Sequence, residues 1–447
     1  MHSVMLVRHG RVVAEGWWAP YSAERRHVLY SLSKSFTSTA MGFAIGEGEV
    51  GLYERVVDIF PEALPDEVSS NLRAMRVKDL LTMTAGHGTE SPRGGEGMTV
   101  RSFLGHPVPH LPGTHFMYNT PATFMVSAIV QKRTGQTVLE YLGPRLFEPL
   151  GIEDPVWDVN AEAISLGGYG LRVRTEDIAK LGQLYLQRGE WEGRRLLSEE
   201  WVELATAKQV SNGSNPESDW NQGYGFQFWR CRHGAYRGDG AAGQYCIVMP
   251  EQDAVVAVTS GIRDMQKLLD VTWDTLLPAF RAVSLPEDAV AAGRLRAKLE
   301  SLEYPVAEGV DGAAVPLLIA GRVFRFEANE TGLETLELRR GRGAGEWSLD
   351  LQMQGERVEI SCGVGGWRTA ENLAGLLLRE VGDFRNEAVA GSLGFVGEGG
   401  CNIRVVLYDT PFSVTFKLRM DGDELVLEGE RQVSFGPLKW PVLRGRS

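Results

Sequence analysis

The chain lacks any apolar run of the about 20 residues that crossing a bilayer requires. Met1-His2-Ser3 leads into Val4–Val7 and then the charged pair Arg8-His9, too short an apolar stretch for a leader or a span. A cytoplasmic protein with no membrane insertion is the expectation. Cysteine is scarce, with 4 in 447 residues. Cys231, Cys246, Cys362 and Cys401 are irregularly spaced and form no C-x-x-C pair, so they outline no metal site. Free thiols are expected, with a Cys231–Cys246 bridge only in an oxidising compartment. Positive charge is in deficit, giving a formal net charge of -12. That balance argues against nucleic acid or an anionic membrane as a partner. No glycine-rich loop precedes a helix as a phosphate or dinucleotide site would. His, Asp and Glu do not cluster at ligand spacing either, so neither a metal nor an organic cofactor is expected.

What is present starts with Ser31-Leu32-Ser33-Lys34, at the head of a helix-forming run. A hydroxyl is a poor nucleophile until a base is held beside it. Residues i and i+3 leave a helix on one face, so the backbone itself sets the Ser31 to Lys34 separation. Phe36, Ala40, Phe43 and Ala44 then form one apolar stripe, as in a buried helix. An ammonium on such a helix is hard to explain structurally, because burying it unpaired is costly.

Length alone predicts two domains. Residues 4–18 read as a hairpin turning at His9-Gly10, and about 50 to 150 as helix and loop, with a long irregular rim at 86–115. Helices are expected over Phe124–Thr134 and Thr175–Gln187. Strands are expected at Tyr224–Trp229, Gln244–Val248 and Ala254–Val258, and a helix at Met265–Phe280. Strands at both ends of some 280 residues imply an antiparallel sheet built from chain-distant pieces, with helices inserted between, an α+β unit over 1–283. A charged helix, Ala291–Ser301, opens a second unit over 284–447. Alternations such as Val414, Phe416, Leu418 and Met420 against Ser413, Thr415, Lys417 and Arg419 predict an all-β barrel or sandwich there.

Several ordered segments of the first unit resemble the serine β-lactamase and penicillin-recognising superfamily, in its branch of class C β-lactamases, D-aminopeptidases and family VIII carboxylesterases. Ser31-Leu32-Ser33-Lys34 with Tyr30 and Ser35-Phe36-Thr37 is similar to the first motif. Leu80–Gly86, Pro112–Thr120, Gly167–Leu171 with Thr175-Glu176-Asp177, and Gly238–Gln244 resemble later ones in the same order. The resemblance implies that Ser31 attacks a carbonyl carbon while Lys34 and Tyr118 activate it, since a nearby ammonium favours phenolate. It implies an oxyanion hole from the Ser31 amide and one on the strand after Gly240, at Ala242 or its neighbour.

Two departures shape the substrate expectation. Thr120 stands where the family has Asn, with Asn119 one position early. A hydroxyl cannot copy a carboxamide, which both donates and accepts. Gly238 replaces the Lys or His of the third motif, leaving Arg232 or Arg237 as the candidate contacts for a substrate carboxylate. Both changes favour an uncharged ester, so a carboxylesterase-like serine hydrolase is expected. The alternatives are a D-amino-acid amidase or peptidase, a weak β-lactamase, or a non-enzymatic β-lactam or peptidoglycan-fragment sensor. The partner is a small ester or amide, and a homodimer is compatible with the sequence. His9, His87, His115 and His233 read as surface or loop residues.

Overall fold

Alternation at the N-terminus produces β1 (Ser3–Arg8), and His9 and Gly10, both with positive φ, turn the chain into β2 (Arg11–Trp17). The other neighbour of β1 comes from far along the chain. In the computed structural model, which describes residues 1–92, 98–310, 318–341, 343, 345–370, 388–397 and 399–447, Ser3 pairs with Thr259 and Arg8 with Ala254. The remaining strands are β3 (Trp229–Arg230), β4 (Tyr236–Gly240), β5 (Gln244–Met249) and β6 (Ala254–Thr259). Their order is β2-β1-β6-β5-β4-β3, antiparallel throughout. Met5, Cys246 and Val255 pack with the helices on one face, and Ile247, Val256 and Val258 with Leu269 and Trp273 on the other. Burial on both faces explains why β5 and β6 read as continuous apolar runs. It also places Cys246 and Cys231 in different cores, so both are free thiols.

Three helices surround the position of Ser31 and Lys34 or brace the sheet beneath it: α1 (Ser33–Gly46), α2 (Thr120–Thr134) and α3 (Thr175–Leu186). The expected single apolar stripe of α1 understates its position, because every residue from Ser33 to Ala44 is buried. Its hydroxyls therefore bond to neighbouring backbone. Ser35 Oγ donates to Gln227 O at 3.0 Å, Thr37 Oγ1 to Gly167 O at 2.8 Å and Ser38 Oγ to Phe226 O at 2.7 Å. These bonds also explain why Tyr224–Trp229, expected as a strand, is mostly a loop. Gln227 has φ 64, and the carbonyls of Phe226 and Gln227 face α1 rather than a neighbouring strand.

The second unit is a closed barrel rather than a sandwich. Its strands are β7 (Val323–Phe326), β8 (Leu333–Arg340), β9 (Glu346–Met353), β10 (Glu356–Val364), β11 (Arg368–Ala370), β12 (Val389–Val396), β13 (Gly400–Leu407), β14 (Ser413–Asp421), β15 (Glu424–Arg431) and β16 (Leu443–Arg446). A parallel pairing of β10 with β12 closes the ring, with Cys362 opposite Gly391. The sequence reading missed β12 because seven of its eight residues are buried, leaving no alternation to detect. A fourth helix, α4 (Ala289–Glu300), joins the units and packs on β2, where a Cβ on Gly16 would stand 3.1 Å from Leu299 Cδ2. Arg25 holds Asp409 at 2.7 and 2.6 Å, and Val28 N donates to Asp409 O at 2.9 Å, fixing the barrel against the first unit.

Closure should be sensitive to any side chain at Gly391, where a Cβ would meet Ser361 O at 2.5 Å and Cys362 Sγ at 2.7 Å. Gly391→Val is expected to cost about 2–4 kcal/mol in urea unfolding, while Gly366→Ala, which meets nothing within 4 Å, stays within about 0.5 kcal/mol of the parent.

Candidate active site

Tyr30 enters α1 with φ 48, a conformation that costs energy for a side chain of this size, and a single tight turn at Tyr30–Leu32 follows. Ser31 thus sits half-exposed at the mouth of a buried helix. One turn on, Lys34 is only 1% exposed. Its ammonium donates to Ser31 Oγ at 3.0 Å, Gly168 O at 2.8 Å and Thr120 Oγ1 at 3.4 Å. It also lies 4.9 Å from the centre of the Tyr118 ring. Burial of this charge is tolerable because oxygens from the adjoining turn and from two distant segments receive it.

Glycine makes the approach possible. A Cβ on Gly168 would lie 2.6 Å from Thr120 Cγ2 and 3.5 Å from Lys34 Nζ. On β4, a Cβ at Gly240 would strike Leu29 O at 2.0 Å, and one at Gly238 would strike Ser35 Oγ at 2.4 Å. The strand end therefore lies directly on the turn that carries Ser31. Gly238 has a packing reason here, since the cation usual at that motif position would collide with α1. Beyond Gly240 the chain turns through Ala242, φ 63, whose carbonyl accepts from Ile262 N at 3.0 Å and from Ser260 Oγ at 2.9 Å.

Ser31, Lys34, Tyr118, Thr120 and Gly240 are thus brought together, whereas three other candidates are not. Asn119 is buried and points elsewhere. Its Oδ1 accepts from Ala122 N at 3.2 Å as the N-cap of α2, and its Nδ2 lies 3.2 Å from His87 Nδ1. Thr120 faces Lys34 in its place. Arg232 donates to Asp219 at 3.0 and 2.8 Å and to Asp270 at 2.6 Å. Arg237 is wholly buried, with Nε 2.9 Å from Asp239 Oδ2 and Nη1 2.8 Å from Asp219 O. Its guanidinium lies 4.4 Å from the Trp220 ring centre and 5.6 Å from that of Trp229. Burial raises the Asp239 carboxyl, with Arg237 opposing. Both arginines meet buried acids instead of a substrate carboxylate, because a buried charge requires a partner.

The sequence reading missed the aromatic wall. Trp229 stacks on Tyr118 at 5.3 Å, and Tyr224 meets Tyr118 edge-on at 6.2 Å. Their clustering within 224–229 was visible, but reading the segment as a strand hid its direction. Glu90 was also missed as a site neighbour, and its Oε1 accepts from Thr120 N at 2.7 Å. His87, expected on a surface or loop, is 1% exposed, edge-on to Phe103 at 4.6 Å. Among the described residues, no three His, Cys, Asp or Glu are grouped to hold a metal ion, and no helix is long and apolar enough to cross a membrane.

The architecture is a serine-hydrolase-like fold, related to a 6-aminohexanoate-dimer hydrolase and a penicillin-binding protein. The chain belongs to the beta-lactamase family, whose profile matches residues 2–274. It is similar to a 6-aminohexanoate-dimer hydrolase of Paenarthrobacter ureafaciens, with 25% identity over 58% of this chain and 72% of the relative. A D-aminopeptidase of Brucella anthropi is 25% identical over 34% of this chain and 31% of its own length. Among solved structures, the octameric penicillin-binding protein homologue from Pyrococcus abyssi has a TM-score of 0.50 and 14% identity, covering 99% of this chain and 95% of that one.

Burial lowers His87 to about 4, with His106 adding to the effect, and burial holds His27 at about 4 as well. The unfolded chain titrates near the usual value of about 6.5, so it binds protons first as pH falls. Stability should be complete above about pH 6.5, decline as pH drops toward 4, and decline no further from these groups below it. Thermal melts across that range should show the fall, and His87→Gln should make it shallower.

Proposed function

We propose that this protein is a serine hydrolase that forms an acyl-enzyme, carboxylesterase-like and acting on small or medium esters. Residues 1–283 would be the catalytic unit and 284–447 an accessory β unit. The observation that carries the reading is the Lys34 ammonium 3.0 Å from Ser31 Oγ, buried and beside Tyr118. A structural lysine has no need of a half-exposed serine at a strained helix entrance.

In this mechanism the cation favours the Tyr118 phenolate, which takes the proton from Ser31 Oγ as that oxygen attacks the ester carbonyl. The Ser31 amide and an amide just past Gly240 hold the developing oxyanion, a location supported by the close approach of β4 to Leu29 and Leu32. Tyr118 returns the proton to the departing alcohol. Water then attacks the acyl-enzyme by the same steps and frees Ser31.

An ester is favoured over a β-lactam or peptide acid by the engagement of Arg232 and Arg237 with Asp219, Asp270 and Asp239, which leaves an aromatic wall beside Tyr118. The amide reading keeps one specific support: among the curated relatives are proteins named as a 6-aminohexanoate-dimer hydrolase and a D-aminopeptidase.

Intact mass after brief exposure to a fluorophosphonate tests the nucleophile. One adduct is expected on the parent and none on Ser31→Ala, while an equal adduct on both would remove Ser31 from the role. Lys34→Met and Tyr118→Phe should each lower kcat/KM for p-nitrophenyl esters by about 10²–10⁴-fold. Faster turnover of a D-alanyl anilide than of any ester would transfer the assignment to the amidase.

A further inference from the structure

A recess of about 360 Å³ lies beside Ser31 and is built by both units of the chain. Its inner side is Tyr30, Ala241 and Ala242, and its outer side is Phe412, Val433 and Phe435 of the barrel. Tyr30 immediately precedes Ser31, and Ala241 follows Gly240, the residue pressed against Leu29 O. The recess is therefore lined by the residue that precedes Ser31 and by the turn that follows Gly240.

The barrel side is fixed rather than incidental. Arg263, from the first unit, donates through Nε to Gln432 O at 2.6 Å and through Nη2 to Arg431 O at 2.9 Å. Arg431 N donates to Leu438 O at 2.7 Å, closing the base of the loop, and Gly436 N donates to Ser434 Oγ at 3.0 Å within it. These bonds hold Phe435 edge-on to Tyr30, with ring centres 5.4 Å apart, beside Phe412 at 6.1 Å from Tyr30. Phe435 remains 62% exposed, so its ring is presented by an anchored loop without being needed to fill a core. A recess of this size suits a flexible hydrocarbon group, and the charged side chain on its lining, Arg263, is engaged by the carbonyls of Arg431 and Gln432 and lies 3.6 Å from Glu430.

We propose that this recess binds the acyl chain of the substrate, an uncharged apolar acyl group of medium length, with Phe435 of the barrel as a specificity-determining residue. The inference rests on the acyl-transfer reading of Ser31. It gives the C-terminal barrel a direct part in substrate selection: the first unit supplies the reacting groups, and the barrel supplies one wall of the acyl site.

The test uses p-nitrophenyl acetate, butanoate, hexanoate and octanoate on the full-length parent, Phe435→Ala and Phe435→Leu, with fluorophosphonate labelling and circular dichroism on each. For the parent, kcat/KM should rise with acyl length. Phe435→Ala should lower the octanoate-to-acetate ratio of kcat/KM by about tenfold, and Phe435→Leu should recover most of it. A ratio unaltered in Phe435→Ala, with labelling intact, overturns this inference alone. So does a length dependence seen only when the alcohol group of alkyl acetates is varied. A parent that neither labels nor turns over any ester overturns the acyl-transfer reading and this inference with it.

Discussion

The buried ammonium of Lys34 is the constraint on which much of the first unit depends. A cation this deep is tolerated only when oxygens converge on it, and they come from Ser31 on its own helix, Thr120 at the head of α2 and the Gly168 carbonyl. Each imposes a local requirement. Ser31 must enter through the left-handed Tyr30, Asn119 must cap α2 so that Thr120 faces inward, and residue 168 must lack a side chain.

The helix carrying Lys34 meets a similar demand along its length. With Ser33–Ala44 buried on all sides, its hydroxyls take the place of water for loop carbonyls. The bonds from Ser35, Thr37 and Ser38 pin the 226–227 segment and Gly167 to one scaffold. The same helix thus presents Ser31 and fixes the loop from which Trp229 reaches Tyr118. On the other side, Gly238 and Gly240 let β4 lie against it without intervening side chains.

Charge is handled by enclosure. Asp219 gathers Arg232, Gln266 and the Trp273 indole, while Asp239 and Arg237 pair beneath the tryptophans. Removing either partner of such a pair would strand a buried ion, so these arginines serve the wall of the site. The barrel joins through directional contacts, Arg25 with Asp409 and Arg263 with two carbonyls of the 431–432 segment, and through apolar clusters such as that of Tyr21 with Val406 and Tyr408.

Much of this was legible in the chain where the physics is local. Helix geometry alone puts Ser31 and Lys34 on one face, period-two alternation reveals β14, and chain-distant apolar runs at 4–7 and 254–258 imply an antiparallel sheet closed by the two ends of the unit. Other features depend on neighbours that no sequence window contains. The direction of Asn119 was settled by a capping bond, the fate of Arg232 and Arg237 by buried acids, and the loop at 224–229 by hydroxyls nearly two hundred residues earlier. Strand β12 escaped notice because both its faces are covered. The order of amino acids was enough to set the reactive residue types and their spacing on a helix, since those depend on backbone geometry alone. Which polar groups face the site and which serve the core was decided in three dimensions, because that choice belongs to whichever buried partner lies within bonding distance.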